Sequence, residues 1–237
     1  LKLKDDNLIN NALRVNNFEW QRMAKKFNKK IDKTQWWMYP YEINAYYHPL
    51  RNEIVFPAGI LQYPFYKPGN EAINYGAIGS IIGHEITHGF DDKGRKFDSE
   101  GKLRDWWTQE DAKKYNSEAG KIIKQYSDFN LYGKNINGNF TQGENIADVG
   151  GIKMSYYAFL NSGKRDLADK KNFFKSYAIS WKSKSTKELM IRRIATDPHS
   201  PAVFRVDGVV SNLTEFYELY DVKPEDKLFT KDRVNIW

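Results

Sequence analysis

Two histidines and a glutamate occur together in a segment with strongly helical apolar spacing, His84-Glu85-Ile86-Thr87-His88. Apolar residues at positions 77, 78, 81, 82 and 86 predict a helix over 74–89 that ends at Gly89. At about 100° per residue, His88 lies about 40° round that helix from His84 and one turn along it, so both imidazoles can reach one point. Because burying imidazoles and a carboxylate on a helix lined with isoleucine is costly, the pattern favours a functional site over histidines that merely satisfy hydrogen bonds in a core.

This order of residue types is typical of a zinc-binding helix. Glu85 lies about 60° round the helix from His88, close enough to act on a water at the metal without being a ligand. The sequence contains no cysteine, which excludes thiolate ligands, disulfides and cysteine nucleophiles. A catalytic zinc site has three protein ligands and an open position for water. We therefore expect one Zn²⁺ per chain, bound by His84, His88 and a third histidine or carboxylate.

The third ligand must come from elsewhere in the chain. A metzincin would place a histidine six residues after His88, but Gly94 occupies that position. Glu144 and Asp148 lie four residues apart in a segment, 143–160, with helical periodicity, so they share one helix face. Glu144 could then bind zinc while Asp148 accepts an N–H from a ligand histidine. The alternative is that both are acids at a helix start, where negative charge is favourable.

The remaining pattern predicts an α+β chain that is mainly helical and has a small sheet. With 41% apolar residues and no repeat, low-complexity segment or long linker, we expect a single catalytic domain over residues 1–237. Residues 8–30 have the spacing of an amphipathic helix that packs by one stripe, and 44–47 and 53–56 are predicted to form a short β-hairpin. Further helices are predicted at 109–126, 168–182 and 186–195.

The chain is basic, with 37 Lys+Arg against 30 Asp+Glu and a net charge of +7. Such a balance could indicate a nucleic-acid partner, but the lysines are spread along the chain and interleaved with acids. The charge therefore favours a solvated surface, and we expect no nucleic-acid partner. No stretch reaches eighteen apolar residues and the polar start is not a signal peptide, so we expect no membrane span in this chain and leave open a cytoplasmic or a secreted bacterial location.

Several motifs together resemble the catalytic part of the neprilysin family of zinc endopeptidases, which includes bacterial oligopeptidases. The resemblance runs from about Asn44 to Trp237. Its motifs are Asn44-Ala45-Tyr46-Tyr47, residues 54–62, Asn74-Tyr75-Gly76, residues 83–92, Asp105-Trp106-Trp107, residues 143–148 and His199-Ser200-Pro201. It implies a thermolysin-like zinc-peptidase fold and zinc metalloendopeptidase activity on peptide substrates. It also implies a preceding helical N-terminal part of the same protein as a partner, a natural end at Trp237 and, because cysteines are absent, a bacterial branch.

The resemblance also implies roles for individual side chains. The zinc ligands are His84, His88 and Glu144, and Glu85 is the general base. Asp148 supports a ligand histidine. His199 matches the family histidine that stabilises the oxyanion of the tetrahedral intermediate.

Further side chains match the family's substrate contacts. Arg205 matches the arginine that hydrogen-bonds the substrate carbonyl beyond the cut, and Asn44 and Ala45 match the pair that binds the substrate backbone. An apolar pocket for the residue after the cut is implied, and with it cleavage on the amino side of large hydrophobic residues. Its residues would be Phe65, Ile81 and Trp181.

Two other interpretations compete with the peptidase. The chain could bind zinc but cleave poorly without the N-terminal part of its relatives, and its charge alone could indicate nucleic-acid binding. The acidic residues Asp91-Asp92 and 98–101 suggest a calcium site, but they lack the order of an EF-hand loop, and turns are the better interpretation.

Overall fold

The computed structural model describes residues 1–236, so the predicted natural end at Trp237 lies outside the described residues. The chain divides into two compact units, Leu1–Trp37 and Met38–Trp237. The expectation of a single catalytic domain over 1–237 stays a prediction. Within residues 1–236, every helix is too short or too polar to cross a bilayer.

The first unit contains one helix, α1 (Leu8–Ala24), whose N-terminus is capped by the Asn7 side chain accepting the N–H of Asn10. The helix ends earlier than the predicted 8–30. None of its residues is buried in the described structure. The prediction that it packs by one apolar stripe is therefore wrong for this unit, in which α1 is the only helix or strand.

The second unit is mainly helical. Its regular elements are β1 (Tyr46–His48), β2 (Glu53–Val55), α2 (Glu71–Asn74), a π-helical segment (Tyr75–Gly79), α3 (Ser80–His88), α4 (Gln109–Ser127), β3 (Asn130–Leu131), β4 (Lys134–Asn135), α5 (Gly138–Asn161), α6 (Leu167–Ser180), α7 (Lys187–Thr196), α8 (Ala202–Val210) and α9 (Thr214–Tyr220). Single turns of 3₁₀ helix lie at Ala58–Ile60 and Gly94–Lys96.

The strands form two antiparallel hairpins. In the first, β1 pairs with β2 so that Tyr46 lies opposite Val55 and His48 opposite Glu53. This confirms the predicted hairpin with bounds shifted by up to two residues. The second hairpin, β3 with β4, precedes α5.

The helices α3 and α5 pack against each other in antiparallel directions. Gly79 of the π-helical segment meets Ser155, Gly83 meets Gly151, and Gly143 lies beside Asp92. A Cβ at Gly83 would lie 2.5 Å from the carbonyl oxygen of Gly151, and one at Gly151 would lie 2.5 Å from the amide nitrogen of His84. The absence of side chains at this pair therefore allows the two backbones to touch and brings α5 beside the histidines.

Two hydrophobic clusters hold α5 on its other sides. One joins α5 to α6, α8 and α9, with fully buried rings at its centre, and the second joins α5 to α4. The central residues of the first are Ile152, Phe159, Phe173 and Val209, and those of the second are Ile122, Tyr126 and Ile146. Such close-packed clusters fix the orientation of the polar face that α5 turns toward α3.

The predicted continuous helix over 74–89 is divided by the π-helical segment Tyr75–Gly79. Tertiary contacts explain why the helix is interrupted by a π-helical segment. The carbonyl of Tyr75 accepts a hydrogen bond from Ser155 Oγ at 2.6 Å, and Gly76 packs directly against the backbone of Phe173. Contacts with α5 and α6 thus favour the wider turn of a π-helix, which the spacing of apolar residues in the sequence does not reveal.

Candidate metal centre

Three donor atoms converge where α3 faces α5. His84 Nε2 and His88 Nε2 lie 2.9 Å apart. Glu144 Oε2 lies 3.3 Å from the first nitrogen and 3.6 Å from the second. Ligands at about 2.0–2.1 Å from a tetrahedral zinc are about 3.3 Å from one another. The structure therefore brings together the three residues predicted as ligands, in an arrangement that could hold a metal ion.

The surroundings of these atoms fit a cation. Glu144 Oε2 is buried and has no hydrogen-bond partner among residues 1–236, although three imidazole nitrogens surround it. A buried carboxylate oxygen of this kind is costly unless a positive group satisfies it. Two imidazoles and one carboxylate are also a donor set that zinc accepts.

Each of the two histidines predicted as ligands is held by a carboxylate through its other nitrogen. His84 Nδ1 lies 2.7 Å from Asp148 Oδ1, where the sequence placed that support. His88 Nδ1 lies 2.7 Å from Asp91 Oδ2. Nδ1–H bonds of this kind leave Nε2 free to carry a lone pair for a metal.

Asp91 is a site residue that the sequence reasoning missed, since it was predicted to be only a turn residue. Its Oδ1 does cap the turn after α3, accepting the N–H groups of Lys93 at 2.8 Å and Gly94 at 2.7 Å. Its second oxygen is the one that reaches His88. An aspartate three residues after the second histidine was the available signal, because a chain that turns at the helix end returns that side chain to the same face.

The predicted helix 143–160 begins earlier than expected, at Gly138, with Asn137 as its cap. Glu144 is thus six residues inside α5, and the first turn of α5 contains no acid. The alternative that Glu144 and Asp148 are helix-start acids is therefore wrong. Both lie in the helix interior on the face that meets α3.

Burial and neighbouring charges shift the acidities in this cluster. Burial alone would lower the pKa of His88, but its hydrogen bond to Asp91 and its contact with Glu144 raise that pKa to about 10. Burial would raise the pKa of Glu144, but the two histidines hold it well below its ordinary value. Burial dominates at Glu85 and raises the pKa of that carboxyl.

Arg205 makes a bidentate ion pair with Asp148. Its Nε lies 2.7 Å from Asp148 Oδ2 and its Nη2 lies 2.7 Å from Oδ1, while its guanidinium carbon sits 3.7 Å from the centre of the Trp181 ring. Burial alone would raise the pKa of Asp148, but the positive charge of Arg205 and the hydrogen bond to His84 lower it. Asp148 is therefore an anion that neutralises one cation while it orients His84.

His199 lies beside Glu144 and lines the same cavity as the donor atoms. Its Nε2 is 3.2 Å from Glu144 Oε2, and its Nδ1 is 2.8 Å from Asp197 Oδ1. The next residue, Ser200, donates its hydroxyl to Asn145 Oδ1 at 2.8 Å and fastens this loop to α5. The loop therefore presents an oriented imidazole, with Asp197 holding it.

One cavity of about 600 Å³ contains eleven of the twelve predicted site residues. Asp148 is the exception, because it lies behind His84 at 3% exposure. The eleven predicted site residues among those that line this cavity are Asn44, Ala45, Phe65, Ile81, His84, Glu85, His88, Glu144, Trp181, His199 and Arg205. A strand edge, an apolar pocket and the donor cluster are thus parts of one cleft.

Comparisons with known proteins agree with this architecture. An endothelin-converting enzyme homolog from Locusta migratoria is 40% identical over 248 residues, which are 100% of this chain and 34% of that protein. Neprilysin from Homo sapiens is 38% identical over 251 residues, again 100% of this chain and 34% of the relative. The chain thus spans about a third of the length of the curated relatives it matches.

Solved structures of peptidases are also similar to this chain. The zinc metalloprotease Zmp1 of Mycobacterium tuberculosis, in complex with an inhibitor, superposes with a TM-score of 0.87 at 42% identity, covering 92% of this chain and 36% of that one. PepO from Lactobacillus rhamnosis superposes with a TM-score of 0.90 at 34% identity, covering 96% and 36%. A sequence model described as peptidase family M13 matches residues 44–236. The predicted resemblance to the neprilysin family is confirmed: the chain belongs to peptidase family M13.

Proposed function

We propose that this chain carries the active site of a zinc-dependent endopeptidase that hydrolyses oligopeptides on the amino side of large hydrophobic residues. The observation that carries the proposal is the convergence of His84 Nε2, His88 Nε2 and Glu144 Oε2 within 2.9–3.6 Å. Membership of a peptidase family supports it, as do relatives named as a neprilysin and a zinc metalloprotease.

His84, His88 and Glu144 would hold one Zn²⁺, with Asp148 and Asp91 fixing the imidazole tautomers through Nδ1. When bound, zinc supplies Lewis acidity that activates water and polarises the carbonyl of the peptide bond. The carboxylates behind the histidines keep both rings from rotating, so the donor atoms need little reorganisation on binding.

Glu85 moves the proton. It is one residue from His84, lines the cleft and is only 6% exposed. Because burial raises the pKa of this carboxyl, it is a stronger base than an ordinary glutamate. Its carboxylate takes a proton from the attacking water and passes it to the nitrogen of the leaving amine.

His199 and Arg205 stabilise charge and position the substrate. In its doubly protonated form His199 donates from Nε2 toward the oxygen that becomes negative in the transition state, while Asp197 accepts its Nδ1–H. Arg205, held by Asp148 and stacked on Trp181, directs its remaining N–H groups to the carbonyl beyond the cut. Both are pre-positioned by hydrogen bonds inside the chain.

Peptide orientation and specificity come from the cleft walls. Asn44 and Ala45 immediately precede strand β1 and line the cleft, so they suit backbone hydrogen bonding to an extended peptide. Phe65, Ile81 and Trp181 offer an apolar surface for the side chain after the cut. These contacts support the preference for a large hydrophobic residue at that position.

The test combines metal content with turnover of a short peptide that contains one internal Phe or Leu. We expect about one zinc per chain, cleavage before the hydrophobic residue, and loss of both after treatment with a chelator. Glu85→Gln should keep the zinc and lose turnover, whereas Glu110→Gln, an exposed acid on α4, serves as a matched control. Full zinc occupancy without turnover would contradict the proposal and favour a metal-binding chain of weak activity.

A further inference from the structure

Phe140 is an exposed aromatic side chain beside the metal centre that no step of the proposed mechanism uses. It is 43% exposed and lines the same cavity as the donor cluster. It lies one turn before Glu144 on α5, so it projects from nearly the same face at a distance of about 6 Å along the axis. A large ring in this position is available to a substrate bound at the metal centre.

The direction of the cleft assigns Phe140 to one side of the cut. Because α3 and α5 are antiparallel, Ile81 lies toward the Gly151 end of their contact, Asp148 lies opposite His84, and Phe140 lies past Glu144 toward the other end. Arg205 pairs with Asp148 and stacks on Trp181, so both lie on the Ile81 side of Glu144. An extended peptide that places the residue after the cut at the Ile81 end therefore runs its preceding residues toward Phe140.

A second cavity also has Phe140 in its lining. Its volume is about 660 Å³, and the aliphatic side chains of Ile191, Ile194 and Ala195 on α7 line it together with Lys134, Asn135, Asn137 and Arg192. Phe140 therefore lines both this cavity and the metal cleft. An apolar side chain that packs on the Phe140 ring lies close to the aliphatic side chains of α7.

We propose that Phe140 is a specificity-determining residue that binds a large apolar side chain within the two positions preceding the scissile bond. The proposal rests on the endopeptidase function proposed above. It assigns the chain a second hydrophobic preference, on the side of the cut opposite the pocket of Phe65, Ile81 and Trp181. The ring contributes apolar contact area and not a hydrogen bond, so aromatic and long aliphatic side chains are the expected occupants.

The experiment compares peptides that share a Leu after the cut and carry either Phe or Gly at the first or the second preceding position. For the position that contacts Phe140, the ratio of kcat/KM between the Phe and Gly peptides should fall about tenfold in Phe140→Ala, the effect of losing one apolar contact. Tyr157→Ala is the matched control, since Tyr157 lies on the same helix with 46% exposure but lines neither cavity. Its ratio should equal that of the parent chain.

Peptide affinity provides a readout independent of turnover. Zinc-loaded chain carrying Glu85→Gln is titrated with the same peptides in a calorimeter, with and without Phe140→Ala. The affinity preference for the Phe peptide, taken as the Kd of the Gly peptide divided by the Kd of the Phe peptide, should fall about tenfold in Phe140→Ala. Ratios unaffected by Phe140→Ala at both positions, with cleavage intact, would overturn the subsite while leaving the endopeptidase standing. A chain that neither cleaves nor binds any of the peptides would overturn both.

Discussion

Replacing Asp91 by asparagine tests whether the carboxylate behind His88 controls metal binding. In the parent chain Asp91 accepts the Nδ1–H of His88 at 2.7 Å. In Asp91→Asn the new side chain would keep its oxygen for the backbone N–H groups of Lys93 and Gly94 and would turn its NH₂ group toward His88. His88 would then have to offer a lone pair at Nδ1 and carry its proton on Nε2, the atom that must bind the metal.

The expected loss of zinc affinity follows from this change in the His88 tautomer. A lost outer-shell carboxylate typically weakens metal binding by about 10–100-fold. That range corresponds to about 1.4–2.7 kcal/mol of binding free energy. We expect Asp91→Asn to fall within it, because the variant retains both turn-capping hydrogen bonds and loses only the orientation and basicity of one ligand.

The assay is zinc competition against a chromophoric chelator at about pH 7, together with a thermal melt of chelator-treated protein. Asp98→Asn is the matched control, because Asp98 also caps a turn, accepting the N–H groups of Glu100 at 2.9 Å and Lys102 at 3.0 Å, and it contacts no histidine among the described residues. Its zinc affinity should match the parent. A zinc affinity of Asp91→Asn within twofold of the parent chain would refute the reasoning, provided His88→Ala abolishes binding.

Three other predictions follow from the same centre. Glu85→Gln should lower kcat by at least about 100-fold while zinc content stays at one per chain, measured by peptide turnover and elemental analysis. Gly83→Ala should lower the free energy of unfolding, measured by urea titration, by about 1–3 kcal/mol, because its Cβ would lie 2.5 Å from the Gly151 carbonyl oxygen. The control Gly120→Ala should be neutral or slightly stabilising, because there is open space around Gly120 among the described residues. Asp91 and Glu144 raise the pKa of His88 to about 10, so zinc must displace a proton from His88 when it binds. Zinc affinity should therefore rise with pH between about 6.5 and 9. In chelator-treated protein, the stability that protonated His88 contributes is fully present below pH 6.5 and is lost as the pH rises toward 10. An affinity independent of pH in that range would contradict this last prediction.

The site was largely predictable because most of its geometry is local. His84 and His88 share a face through helix spacing alone, and Glu144 and Asp148 do the same on α5. Residue spacing cannot predict the distance between the two histidines and the two carboxylates. That distance depends on the path of the long segment that connects α3 to α5. The need for a third ligand and the spacing of Glu144 and Asp148 suggested that the two pairs meet, and the resemblance implied the same pairing. The 3.3 Å separation of His84 Nε2 and Glu144 Oε2 agrees with it.

The features that the sequence did not reveal depend on contacts between distant segments. The π-helical segment Tyr75–Gly79 exists because Ser155 and the backbone of Phe173 meet it from two other helices. The apolar spacing of residues 74–89 is compatible with either helical form, so periodicity could not distinguish them. Asp91 was missed for a similar reason, because its turn-capping role is visible in sequence whereas its contact with His88 needs the path of the turn.

The contact between Gly83 and Gly151 links the stability of the fold to the chemistry of the site. It sets the spacing of α3 and α5, and His84 follows Gly83 directly while Asp148 lies one turn before Gly151. A Cβ at either glycine would lie 2.5 Å from the opposite backbone, so a side chain there would push the helices apart by about 0.5 Å or more. That distance exceeds the tolerance of a metal–ligand bond, about 0.2 Å. Glu144 and the histidines belong to opposite helices, so such a displacement would lengthen one bond to the metal before it unfolded the chain. Substitutions at this glycine pair should therefore weaken zinc affinity at least as strongly as they weaken folding, unlike substitutions in the aromatic clusters behind α5, which act on folding first.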